Sequence, residues 1–244
     1  MKAYGRSDVG MLRHENQDAF GVCPLKGGGL LAILCDGMGG EAGGKEAADT
    51  CVFSFLSAYD ENKAPSIEEL TRTLRSANAE ILARRDKNGY ARMGTTAVLA
   101  RATDEALAIL WAGDSRAYLL HGGTLCRITR DHSYVQALVD DGALTEEEAR
   151  THRKRNLITR AVGAADTLEP DATSLTWQTG DRLLLCSDGL YGMVGERELL
   201  EILTEGHSVE RTVHELICAA NSHGGEDNIT VLLLENEKEN HPDA

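Results

Sequence analysis

The chain has 244 residues, enough for one large domain or two small ones with a sizeable core. Its hydrophobic share of 42% and charged share of 26% exclude a disordered chain. A formal net charge of −14 argues against general binding to nucleic acid or to an anionic membrane surface.

Taken along the chain, residues 19–22 and Leu30–Cys35 read as strands, because they are short apolar runs bounded by turn residues. Residues 46–56 read as a helix. Pro65-Ser66-Ile67-Glu68-Glu69 predicts a capping box, after which Ile67, Leu70, Leu74, Ala77 and Ile81 recur at helical steps. Residues 95–101 and Ala106–Ala112 read as strands whose short link forces an antiparallel hairpin. A further strand follows at 117–121. Residues 129–161 are polar and weakly periodic, with a second capping box at Thr145-Glu146-Glu147-Glu148 and a basic run, His152-Arg153-Lys154-Arg155. That run is either a solvated face or a segment that meets a phosphorylated partner. A strand at 182–187, a helix at 196–203, a helix through Val209, Val213, Leu216, Ile217 and Ala220, and a strand at 229–234 complete the pattern. The expected class is α+β, two packed antiparallel β-sheets with helices outside. Residues 1–236 are expected to form a single domain, and 237–244 a polar tail.

The longest apolar runs, such as Leu30–Cys35, are far too short to span a bilayer, and the first eight residues carry no apolar stretch of a signal peptide. The six cysteines are scattered, with no Cys-x-x-Cys pair, which speaks against a zinc site or a disulfide frame. The expected compartment is the cytoplasm.

The aspartates fall at strand ends. Asp36, Asp114 and Asp188 close apolar runs, while Asp18 and Asp227 open them. In an antiparallel sheet the end of one strand lies beside the start of the next, so five carboxylates are expected at one edge. Carboxylates so close raise one another's pKa unless a cation lies between them. Mg²⁺ and Mn²⁺ prefer such oxygen donors. Gly37, without a Cβ, lets its own carbonyl approach such an ion. Gly39-Gly40-Glu41-Ala42-Gly43-Gly44-Lys45 matches a P-loop spacing, but Glu46 stands where that loop needs Ser or Thr.

Eight ordered blocks then carry a resemblance. They are Arg13-His14-Glu15-Asn16-Gln17-Asp18, Asp36-Gly37-Met38-Gly39-Gly40, Gly94-Thr95-Thr96, Gly113-Asp114-Ser115-Arg116, Asp131-His132-Ser133, Thr159-Arg160-Ala161-Val162-Gly163, Ser187-Asp188-Gly189-Leu190 and Asp227-Asn228-Ile229-Thr230. Together they resemble the protein phosphatase 2C family of metal-dependent Ser/Thr protein phosphatases, in its bacterial form, from about Arg6 to Leu234.

The resemblance implies a sandwich of two antiparallel sheets flanked by helix pairs, with a dinuclear Mn²⁺ or Mg²⁺ site at one edge. By position, Asp36 bridges the metals, the Gly37 carbonyl binds one of them, and Asp188 and Asp227 complete the other. Asp18 holds metal-bound water. Bacterial relatives often bind a third metal, whose ligands Asp114 and Asp188 match. Arg13 matches the arginine that grips the substrate phosphate, and residues 129–161 match a mobile flap. The implied reaction is hydrolysis of phosphoserine or phosphothreonine by direct attack of a metal-bridging hydroxide, opposing a bacterial Ser/Thr kinase. The implied partners are phosphorylated proteins, that kinase and its substrates. The rival readings are a phosphatase of small phosphomonoesters on the same site and a non-catalytic partner-binding homologue. Two positions depart from the animal members. Gln17 replaces a Glu, and Met38 replaces the His proposed as general acid. The leaving-group proton then comes from metal-bound water or another group, with His132 nearby in the motif order.

Overall fold

Successive side chains of a strand point to opposite faces, so an unbroken apolar run needs cover on both sides. Leu30–Cys35 meets that condition. Leu31, Ile33 and Cys35 join one apolar cluster, and Ala32 and Leu34 join another. The computed structural model describes residues 1–25, 28–39, 43–58, 64–90 and 92–237.

In chain order the strands are β1 (Lys2–Asp8), β2 (Ala19–Pro24), β3 (Leu30–Cys35), β4 (Gly37–Met38), β5 (Gly94–Thr95), β6 (Ala97–Ala102), β7 (Ala106–Ala112), β8 (Arg116–His121), β9 (Thr124–Arg127), β10 (Asp171–Thr176), β11 (Arg182–Cys186) and β12 (Ile229–Glu235). The helices are α1 (Gly43–Ser57), α2 (Ile67–Asn88), α3 (Tyr134–Asp140), α4 (Glu146–Thr151), α5 (Asp188–Tyr191), α6 (Glu196–Thr204) and α7 (Val209–Ser222). The strands form two five-stranded sheets, β1-β12-β11-β8-β9 and β10-β7-β6-β3-β2, and a small β4-β5 pair. The pairings are antiparallel, and at β2–β3, β6–β7 and β8–β9 the short hairpin links require it.

Three apolar layers hold the sandwich. Val98, Ile109, Leu119, Leu185 and Leu232 fill the space between the sheets. Phe55 of α1 and Leu70, Leu74 and Ile81 of α2 cover the outer face of one sheet. Leu199 of α6 and Val213 and Leu216 of α7 cover the other. The expected α-β-β-α architecture is therefore the one observed.

Local signals act as their chemistry requires. Ser66 Oγ accepts from Glu69 N, and Glu69 Oε2 accepts from Ser66 N, which closes the capping box of α2. Thr145 and Glu148 do the same for α4. Helix α1 begins at Gly43, earlier than the expected start at residue 46. Residues 95–101, expected as one strand, divide at Thr96, whose N–H turns to the carbonyl of Asp36 at 2.8 Å. Strands β1, β9 and β10 are edge strands rich in polar residues, so no apolar run announces them. Residues 40–42 of the P-loop-like segment and 238–244 of the expected tail lie outside the described residues. No helix among the described residues is long and apolar enough to cross a membrane.

Candidate metal centre and active site

Register alone brings the carboxylates together. Ala19 pairs with Cys35 in the β2–β3 ladder, which sets Asp18 against Asp36 one step further on. Ala97 pairs with Ala112, which sends Asp114 to the same edge. In the other sheet Cys186 pairs with Val231, so Asp188 and Asp227 flank the ends of neighbouring strands β11 and β12. All five aspartates meet there. Asp36 feels the charges of Asp18, Asp188, Asp114 and Asp227.

Asp18 joins the two halves of the sandwich. Its Oδ2 accepts from the Ser187 hydroxyl at 2.9 Å and from the Thr230 hydroxyl at 2.6 Å, both on the opposite sheet. Asp36 is held by its backbone. Its N–H donates to Thr96 Oγ1 at 2.9 Å, and its carbonyl accepts from the Thr95 hydroxyl at 2.9 Å. Thr96 Oγ1 in turn meets Ser115 Oγ at 2.6 Å, beside Asp114. Asn228 fastens the loop that carries Arg13. Its Nδ2 donates to the carbonyls of Val9 and Glu15, and its Oδ1 accepts from Gln17 N. These hydroxyl and amide positions were visible only as members of motif blocks. Their roles depend on which strands become neighbours.

Gly37 has no room for a side chain, because a Cβ there would lie 2.2 Å from the Gly44 carbonyl and 2.6 Å from that of Gln17. The first turn of α1 therefore packs directly on the strand end that carries Asp36. Arg116 grips Asp131 with two donors and lies 3.6 Å over the Tyr191 ring. The Tyr191 hydroxyl donates to the Asp114 carbonyl at 3.0 Å, so this buried stack supports Asp114 from below. Arg13 sits on the solvent side, where its Nη2 donates to Asp227 Oδ2 at 2.7 Å. Its side chain remains 54% exposed, with guanidinium donors to spare.

The electrostatics fit a cation-binding edge. Burial, reinforced by neighbouring carboxylates, pushes Asp36 and Asp114 well above the usual carboxylate range. The same cause lifts Asp18 to about 7 and Asp188 to about 6, and hydroxyl donors oppose it only partly at Asp18. Oδ1 of Asp18 and Oδ1 of Asp188 are buried with no hydrogen-bond partner among the described residues. Buried carboxylate oxygens without donors are costly, and divalent ions meet that need. The residues present therefore fit such ions.

His132 stands apart from this group. Its ring is 8% exposed, stacks on Trp111, and accepts from Gly113 N at Nδ1. Its Nε2 faces Arg160 and Asp171. Burial and the nearby Arg160 lower its pKa, so it is neutral near pH 7 and both ring nitrogens are engaged. The ring serves as a clasp between the Gly113 turn and the segment that follows.

A pH dependence follows for the metal-free protein. Asp18 rises from 3.8 in the unfolded chain to about 7 in the fold. Between those values the folded state binds more protons than the unfolded one, so stability falls as pH rises through the window. In EDTA, the melting temperature is expected to drop from pH 5 to pH 8, and Asp18→Asn is expected to flatten that drop. A melting temperature that stays level in the wild type speaks against a raised Asp18 pKa in the fold.

The comparisons with known proteins agree with this geometry. A sequence model described as Protein phosphatase 2C matches residues 13–222. The chain is 39% identical over 246 residues to a serine/threonine phosphatase stp of Listeria monocytogenes, covering 97% of this chain and 96% of the relative. It is similar to the serine/threonine phosphatase of S. agalactiae, with a TM-score of 0.89, 33% identity, and coverage of 95% and 98%. It is also similar to the catalytic domain of the phosphatase PstP in complex with two manganese ions, with a TM-score of 0.85, 36% identity, and coverage of 96% and 97%. Motif blocks, sheet order and the strand-end carboxylates thus converge, and the chain belongs to the protein phosphatase 2C family.

Proposed function

We propose that this chain is a metal-dependent protein serine/threonine phosphatase. The observation that carries the reading is the set of five carboxylates gathered at one edge of the sandwich, two of them with buried oxygens that lack donors. Asp36, the Gly37 carbonyl, Asp188 and Asp227 are the proposed ligands of two Mn²⁺ or Mg²⁺ ions, and Asp114 with Asp188 those of a third. Two divalent ions held there supply positive charge for a phosphate group and acidify water. Asp18 fixes the strand ends and accepts a proton or hydrogen bond with its free oxygen. Arg13, exposed beside Asp227, offers a planar fork that matches two phosphate oxygens.

The proposed substrates are phosphoproteins, and the proposed opponent is a Ser/Thr kinase of the same cell. Support comes from the named relatives and from the placement of the basic run. Arg155 Nη2 lies 4.0 Å from Glu226, the neighbour of Asp227, and Lys154 lies 4.7 Å over the Tyr134 ring. Residues 129–161, the proposed flap, therefore bring cations beside the site. Replacing Arg153, Lys154 and Arg155 by Ala is expected to lower kcat/KM on a phosphoprotein roughly threefold to tenfold, and to affect a small aryl phosphate less. Equal losses on both substrates remove the flap's part in recognition. The direct test of the activity is release of phosphate from a phosphothreonine peptide in the presence of Mn²⁺, set against free phosphoserine. A preference for the free amino acid favours the small-molecule reading.

A further inference from the structure

Helix α1 presents Lys45, Asp49 and Phe53 at four-residue spacing, on one face. That face borders a cavity of about 470 Å³ which it shares with Glu15, Arg84 of α2 and Tyr90. The cavity adjoins the reaction centre. Glu15 lies two residues beyond Arg13, and its carbonyl is held by Asn228, the neighbour of Asp227. Lys45 Nζ donates to the Asp18 carbonyl at 3.3 Å.

The lining has an excess of negative charge and two aromatic rings. Lys45 is committed to Asp49 at 2.7 Å. Arg84 is committed to Glu80 at 2.8 Å and to Glu46 at 3.4 Å. Glu15 is exposed and has no ion-pair partner among the described residues. Phe53 is 70% exposed, the most exposed large apolar side chain among the described residues, and it rests in no apolar cluster of theirs. An aromatic face next to an unpaired carboxylate suits a cation, and a guanidinium above all, because it stacks on rings and forks onto carboxylates.

Resting on the phosphatase reading, we propose that this cavity is a specificity subsite for a basic side chain, arginine foremost, that flanks the phosphorylated residue of the substrate protein. Phe53 and Tyr90 take the guanidinium face, and Glu15 takes its charge. The occupant is a residue of the same chain that places its phosphate against Arg13, so the subsite selects among phosphoproteins without touching the reacting atoms.

The test uses the full chain with Mn²⁺ and fluorescent peptides that carry a non-hydrolysable phosphonate in place of phosphothreonine. Arg, Ala, Leu or Glu is placed at successive positions on either side. Anisotropy reads binding, and turnover of an aryl phosphate is followed in parallel. At one position or more, the Arg peptide is expected to bind roughly threefold to tenfold more tightly than the Ala peptide. Phe53→Ala and Glu15→Gln are each expected to shrink that ratio to about one to two. Equal binding of all four peptides, a preference for Leu, or an Arg preference that survives both substitutions overturns the subsite. Aryl phosphate turnover in those cases shows the phosphatase reading intact. An Arg preference without any turnover overturns the phosphatase reading alone and keeps the subsite.

Discussion

EDTA is expected to reduce phosphatase turnover on the order of a thousandfold or more, and added Mn²⁺ to restore it. The argument is electrostatic. Five carboxylates crowd one edge, and the cations nearby are already committed to acids, Arg13 to Asp227, Lys45 to Asp49 and Arg116 to Asp131. A phosphate dianion cannot approach that edge unless positive charge is added. Divalent ions contribute several kcal/mol to a charged transition state, and about 1.4 kcal/mol is a factor of ten in rate. The protonated, metal-free site is no substitute, since protons neutralise the carboxylates without attracting an anion. Phosphate release from a phosphothreonine peptide, measured before and after chelation, checks this. Full activity in chelator removes the case for metal dependence.

Asp36→Asn is expected to act on activity and on stability in opposite directions. Turnover should fall on the order of a thousandfold, because the carboxylate that feels the charge of every other member of the group loses its own. The fold should persist, because Asp36 is anchored through its backbone to Thr95 and Thr96. In EDTA the variant should melt no lower than the wild type, and above neutral pH it should melt higher, since one source of repulsion is gone. Calorimetric titration with Mn²⁺ should show weakened binding. Retained turnover sinks Asp36 as the shared ligand. A collapse of the fold sinks the backbone anchoring.

The legible part of this molecule is the part where one residue type carries its own signal. Leu30–Cys35 and residues 183–186 have side chains buried on both faces, so they read as unbroken apolar runs, and an aspartate at the end of such a run stands out. The paired threonines 95 and 96, Ser115, Ser187 and Thr230 are different. Hydroxyls are common everywhere, and what makes these five matter is a register between strands far apart in sequence, which no local window contains. Edge strands β1 and β10 escaped for a related reason. A chain that guards its own edges with polar residues erases the alternation by which strands are recognised. The cavity beside α1 was hidden too. Lys45, Asp49 and Phe53 look like an ordinary solvated helix face until α2 and the Glu15 loop are set opposite.

The bond from Asp18 to Ser187 and Thr230 has an evolutionary corollary. One side chain serves as a rivet between two halves of the scaffold and is also a member of the proposed metal-binding edge. A descendant that abandons catalysis cannot simply discard this acid, for its removal strips two buried hydroxyls of the carboxylate they share. Dead copies of this architecture should therefore keep the rivet long after they have lost the outer acids, and its presence alone is no badge of a working enzyme.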